Sequence, residues 1–150
     1  MKPRMLIALL ALIGALVALY LTLYKVGALG NIACSVGSCE TVNLSRWATF
    51  LGLPVAAWGL GAYIVLLALS LAGLQPSTEG SRPIALALVG VSGWSFLFSM
   101  WLTYLELFVI RAICMWCVIS ALIMTSIFAL SLYDQRASRP TSHVPHPSAG

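Results

Sequence analysis

Four cysteines carry the chemistry open to this sequence, and they come as two pairs. Cys114 and Cys117 bracket Met115 and Trp116, while Cys34 and Cys39 bracket Ser35-Val36-Gly37-Ser38. A thiolate attacks a disulfide sulfur and passes two electrons through a mixed disulfide, so two neighbouring pairs suffice for an electron relay. At the CxxC spacing the first turn of a helix offers unpaired N–H groups and its positive dipole end to sulfur, which lowers the thiol pKa. Arg111 adds positive charge nearby in sequence. The other pair encloses Gly37 and two serines, a chain supple enough to close a small disulfide and reopen it. The pattern reads as a mobile shuttle beside a fixed reaction centre. Two static disulfides would also account for an even cysteine count in an oxidising compartment. A zinc site is not expected, because no His accompanies the cysteines, and no His follows Cys117 as covalent haem attachment requires.

The elements that must position these sulfurs are membrane helices. Of 150 residues, 61% are hydrophobic and 8% charged, with a mean hydropathy of +0.99. Hydrocarbon about 30 Å thick takes roughly 20 apolar residues per helix. Apolar runs over residues 5–24, 54–74, 84–110 and 112–132 supply four spans, the first too long for a cleaved signal core. The expected fold is an all-α membrane protein, a four-transmembrane-helix bundle. In the loop 25–53, Leu44, Trp47 and Leu51 recur at helical intervals behind Asn43 as N-cap, predicting a short interfacial helix. Pro54 opens the second span, and the third and fourth meet at a tight connection near Arg111. Residues 1–133 are thus expected to form one membrane domain. Residues 134–150, rich in Pro, Ser and His, read as a disordered cytoplasmic tail in which His143 and His146 are solvated spacers.

Four spans return the chain to the side on which it began. Lys2, Arg4, Arg82, Arg136 and Arg139 then share one side against Lys25, Arg46 and Arg111, which favours cytoplasmic termini by a small margin. Under that topology the loop and the Arg111 connection both face outward, and all four cysteines gather at the exoplasmic rim. The formal net charge of +4 comes from basic residues scattered singly at span edges, not from a basic groove, so nucleic-acid binding is excluded. Lipid-soluble quinone is an electron acceptor available at such a rim. Ser92, Ser95, Ser99, Thr103 and Glu106 lie on one face of the third span, either lining a polar pocket or allowing close helix packing. Glu106, near the span's outer end, is expected to snorkel.

These elements, in order, resemble the bacterial branch of the vitamin K epoxide reductase (VKOR) family, in a stand-alone form without a fused thioredoxin-like domain. The likeness rests on residues 34–63, with their cysteine pair, Ser45, Gly52 and Pro54, and on residues 104–117, which end in the CxxC. It covers nearly all of the chain except the tail. The resemblance implies a bundle around a quinone, ubiquinone or menaquinone, with Cys117 next to the quinone ring and Cys114 its partner. It implies that Cys34 and Cys39 relay electrons from a separate thioredoxin-fold, DsbA-like protein; which of the two meets that protein stays open. Ser45 would orient the loop or the quinone end. The implied activity is quinone-coupled oxidation of thiols in the plasma membrane, supporting disulfide formation. The loop pair is closer together than the family pattern leads one to expect. The vertebrate branch's vitamin-contacting tyrosine and asparagine are replaced by Ala121 and Ala48, so epoxide reduction is not implied.

Two other classes compete. A small four-span transporter would need a carboxylate deep in a span, and none lies near the middle of any. A tetraspan scaffold with a loop disulfide would account for Cys34 and Cys39 but leave Cys114 and Cys117 without a role.

Overall fold

In the computed structural model, residues 2–139 are described. Four long helices form the bundle: α1 (Pro3–Lys25), α3 (Val55–Ala72), α4 (Arg82–Tyr104) and α5 (Met115–Ala137). With the π-helical extension of α4, Leu105–Ile110, each is long and apolar enough to cross a membrane. α1 packs on α3 and α5, and α4 packs on the same two, so the helices close a ring in the order α1, α3, α4, α5. α1 supplies a stripe of small residues, Ala8, Ala11, Gly14, Ala15 and Ala18, that lets its neighbours approach closely. Tyr63 lies against Gly14 so tightly that a Cβ there would overlap its ring. The core between them is Ile7, Ala11, Ala15, Ala18, Tyr63, Leu66, Leu88, Met124 and Ile127.

Pro at the first turn of α1 and of α4 sits where no intrahelical N–H bond is lost. Pro54, expected as the first residue of its span, is instead the extended residue before α3. Buried Ser70, Ser92 and Ser131 return their hydroxyls to the carbonyls four residues earlier, which satisfies them inside the bundle.

The loop differs from expectation. A short helix is present between the first two spans, but it is α2 (Cys39–Leu44), ahead of the predicted place. Asn43 is inside α2 rather than an N-cap, and its amide donates to the Cys39 carbonyl at 2.8 Å. A 3-10 turn, Arg46–Ala48, follows, and then a small hairpin of β1 (Thr49–Phe50) and β2 (Leu53–Pro54). Leu51 and Gly52, at φ 52° and 81°, make its turn. Left-handed residues cannot continue a helix, so the periodicity of Leu44, Trp47 and Leu51 was not helical.

α5 runs to Ala137, past residue 133, and its Asp134, only 6% exposed, is paired with Arg4. Residues 140–150, including His143 and His146, lie outside the described residues.

Candidate functional site

All four cysteines meet at one end of the bundle. Cys34 and Cys39 are joined by a disulfide, and Cys114 and Cys117 are free thiols. Cys39 and Cys114, 1% and 0% exposed, pack in one apolar cluster with Val42, Ile32, Ala112 and Trp116 around them. Cys34 stays partly exposed at the edge of that cluster.

Backbone pairing brings the loop to the CxxC. Ser38 N–H donates to the Ile113 carbonyl at 2.7 Å, and Gly37 bridges Cys114 in antiparallel register. Gly37 was expected to give suppleness; its part is more specific. It has φ +89°, and a Cβ would overlap the Ile113 carbonyl oxygen, so only glycine fits both the conformation and the approach. Two further bonds pin the chain just before Cys34. The Tyr20 hydroxyl accepts the Ala33 N–H at 2.8 Å, and the Trp116 indole donates to the Ala33 carbonyl at 2.6 Å. Lys25 holds α2 by donating to the Asn43 carbonyl at 2.7 Å.

Cys114 is the N-cap of α5 and accepts the Cys117 N–H at 3.4 Å. Its thiol is held below the ordinary cysteine range, first by a hydrogen bond from the Cys117 side chain, with the backbone N–H groups of Cys117 and Trp116 helping. Burial and the Glu106 charge push the other way. The predicted helix-terminus effect is therefore present. Arg111 is exposed and in the left-handed region, and it is not among the causes. The Asn43 amide also faces the Cys114 sulfur, at 3.7 Å.

Beside Cys117 opens a cavity of about 1030 Å³, walled by α3, α4 and α5 and roofed by the loop. Trp47, Phe50, Trp58, Trp94, Phe98 and Trp101 supply much of its surface. The roof is braced by edge contacts of Trp47 with Trp101 and of Phe50 with Trp58. Its polar groups include Asn43, Tyr63, Ser120 and Glu106. The Tyr63 hydroxyl is tied to the Ser120 carbonyl and hydroxyl at 2.9 and 2.8 Å. An apolar, aromatic-lined chamber with a few polar groups near one sulfur suits a flat ring with a hydrocarbon chain.

The polar face expected on α4 divides in two. Ser95, Ser99, Thr103 and Glu106 border the cavity, whereas Ser92 is buried in helix packing. Glu106 does not snorkel: it is 7% exposed, and its Oε2 accepts the Cys114 N–H at 3.3 Å. Glu106 lies in the π-helical turn Leu105–Ile110, which Arg111 closes at φ 55°. Ser45 borders the cavity too, but its hydroxyl donates to the Val42 carbonyl at 2.7 Å and so closes the end of α2. Ala48 is part of the cavity wall.

Asn43, Trp116 and the Tyr63–Ser120 pair had no signal in the sequence as site residues. Only Trp116, lying inside the CxxC, had a position that could have marked it.

The model of the vitamin K epoxide reductase family matches residues 5–132, which takes in most of every long helix and all four cysteines. That family comprises membrane thiol–disulfide oxidoreductases with quinone-type substrates. With 128 of its 150 residues matched, four membrane-length helices and the sulfurs gathered at one end, this chain belongs to the vitamin K epoxide reductase family.

Proposed function

We propose that the protein passes electrons from a reduced thioredoxin-fold, DsbA-like partner to membrane quinone, ubiquinone or menaquinone, and so supports disulfide formation in exported proteins. The observation that carries this reading is the burial of Cys39 and Cys114 in one cluster, with Cys34 at its outer edge and Cys117 on the cavity wall.

The relay then has a natural order. A partner thiolate attacks Cys34, the accessible sulfur, and releases Cys39 as thiolate; the partner's second thiol completes its own disulfide and frees Cys34. Cys39 attacks Cys114 of an oxidised Cys114–Cys117 pair and releases Cys117. Cys34 then attacks Cys39, which restores the loop disulfide and leaves the CxxC as a dithiol. Two electrons move at each exchange, one S–S bond forming as one breaks. The described state, a loop disulfide over a free CxxC, is the state at the end of this sequence.

Quinone in the cavity would supply the sink, taking two electrons and two protons to become quinol. The aromatic walls would hold the ring, and Cys117, Asn43, Ser120 and Ser45 are the cavity groups around it. A partner as oxidising as DsbA, at about −120 mV, requires a sink of higher potential. Membrane orientation follows from the same reading, with cytoplasmic termini and the cysteines on the periplasmic or extracellular face.

Purified protein in detergent, given a reduced thioredoxin-fold dithiol protein and a short-chain quinone, tests this by quinone absorbance. Turnover is expected, and it should vanish in Cys117→Ala and in Cys114→Ala. Quinone reduction that survives in both variants, or an inert wild type with several quinones and partners, would overturn the proposal.

A further inference from the structure

Glu106 is a carboxyl buried at the end of a membrane helix, and the relay described above gives it no task. Among the described residues, its carboxylate accepts the Cys114 N–H at 3.3 Å and lies within hydrogen-bonding reach of the Cys117 thiol. The two ion pairs among the described residues, Lys2–Glu79 and Arg4–Asp134, do not involve it. The groups facing its region are accounted for. Lys25, also on the cavity, donates to the Asn43 carbonyl and forms no ion pair with Glu106 among the described residues; the Tyr63 hydroxyl is bonded to Ser120; Arg111 is exposed. Cys114 and Cys117 remain, one bonded to the carboxylate through its backbone and the other sharing the cavity wall with it.

An uncompensated carboxylate in a membrane segment is costly and is kept where protons move. Accepting one backbone N–H would not require a carboxyl, since a neutral amide oxygen does that as well. The π-helical turn that carries Glu106 is a distortion of α4, of a kind frequent at functional sites.

We propose that Glu106 carries the protons that accompany oxidation of the Cys114–Cys117 dithiol. As the S–S bond forms, two S–H bonds break, two electrons leave for the acceptor, and two protons must leave the sulfurs. A Glu106 carboxylate oxygen takes each proton from the Cys117 side of the pair and hands it to the acceptor in the cavity, which returns it to its starting state at each turnover; when the dithiol is oxidised without quinone, the last proton stays on the carboxyl. The balance rests on the reading that quinone is the acceptor, which takes up the same two electrons and two protons.

The test compares wild type, Glu106→Gln and Glu106→Asp in detergent. Gln retains an oxygen for the Cys114 N–H but holds no exchangeable carboxyl proton; Asp retains the carboxyl and guards against a Gln variant that fails to fold. The first readout needs no quinone: infrared difference spectra between the dithiol and the chemically oxidised disulfide. A carboxyl C=O band should change on oxidation in wild type and be absent from Glu106→Gln, with Glu106→Asp showing a shifted band. The second readout is steady-state quinone reduction. The Gln variant should lose about 100-fold or more in kcat with little change in KM, and Asp should recover part of it. A wild-type spectrum without any carboxyl change, or a Gln variant with wild-type kcat, would overturn the assignment. An intact protein that shows the carboxyl band but reduces no quinone would retain Glu106 as proton carrier and reject quinone as the acceptor.

Discussion

Cys114 has to leave its bond to Cys39 as a thiolate, and attack the loop disulfide as one in the reverse exchange, while fully buried, two demands that oppose each other because burial favours the neutral thiol. The opposition is resolved by donors: the Cys117 side chain first, then the backbone N–H groups at the start of α5. A thiol whose pKa is depressed is already thiolate where a free cysteine is still protonated. Its exchange with the loop disulfide should therefore persist as the pH is lowered, and fail only as the pH falls through the depressed pKa. In Cys117→Ala the main donor is gone, so the acid limb of exchange should move to higher pH. Cys117→Ser, which keeps a hydroxyl donor, should move it less. Both are measured as the alkylatable Cys34 thiol released when Cys114 attacks Cys39. Identical pH profiles in the two variants would contradict the assigned cause. At this scale the cysteines were legible because their spacing is itself the signal. Asn43 was not: its contact with the Cys114 sulfur joins residues far apart in the chain, and a local reading gave its amide to a helix cap it does not make.

Among the elements, the loop is seated on the CxxC by main-chain pairing at Gly37 and Ser38, with Ala33 clamped between Tyr20 and Trp116. A seat built from backbone tolerates many side chains but not a Cβ at Gly37. Gly37→Ala imposes a disfavoured φ costing about 1–3 kcal/mol as well as overlap with the Ile113 carbonyl. It should slow loop-to-CxxC exchange about tenfold or more while leaving the four-helix bundle's melting temperature in detergent nearly unchanged. Exchange at the wild-type rate would show that the pairing is not needed. The four long helices were legible from hydropathy, since hydrocarbon thickness sets their length and an apolar run has no other use. The loop elements were not, because Leu51-Gly52 turns the chain through left-handed conformations that an apolar spacing of three and four residues does not reveal. The π-helical turn after Tyr104 was equally hidden, since nothing in a hydrophobic run distinguishes it from a continuing α-helix.

Across the whole molecule, the end opposite the cysteines is closed by one side chain. Arg4, 4% exposed, binds Asp134 at 3.0 Å and donates to the carbonyls of Gly73 and Ser81, tying α1, α5 and the α3–α4 connection together. The Lys2–Glu79 pair nearby is largely exposed and contributes little. Removing one partner of a buried pair strands the other charge, at a cost of about 3–5 kcal/mol, whereas replacing both with apolar residues is close to neutral. Arg4→Met alone and Asp134→Leu alone should each lower the melting temperature in detergent strongly, and the double variant should recover most of the loss. Additive losses in the double variant would contradict this account. The sequence signalled that both ends of the chain share one side, but counted Arg4 as a topology charge and Asp134 as the start of a tail. Their pairing depends on the register between α1 and α5, which no local pattern encodes.

What the whole arrangement achieves is the meeting of sulfurs from two distant parts of the chain, with Cys39 and Cys114 buried in one cluster and Cys34 at its edge; the proposed relay makes Cys39 the one that exchanges with Cys114. The most direct measurement leaves two cysteines in the protein at a time, oxidises it mildly in the membrane, and maps the disulfide by mass spectrometry. In Cys34→Ala/Cys117→Ala, a Cys39–Cys114 disulfide should form nearly completely, and in Cys39→Ala/Cys117→Ala a Cys34–Cys114 bond should form poorly. Absence of the first bond, or equal formation of both, would contradict the account.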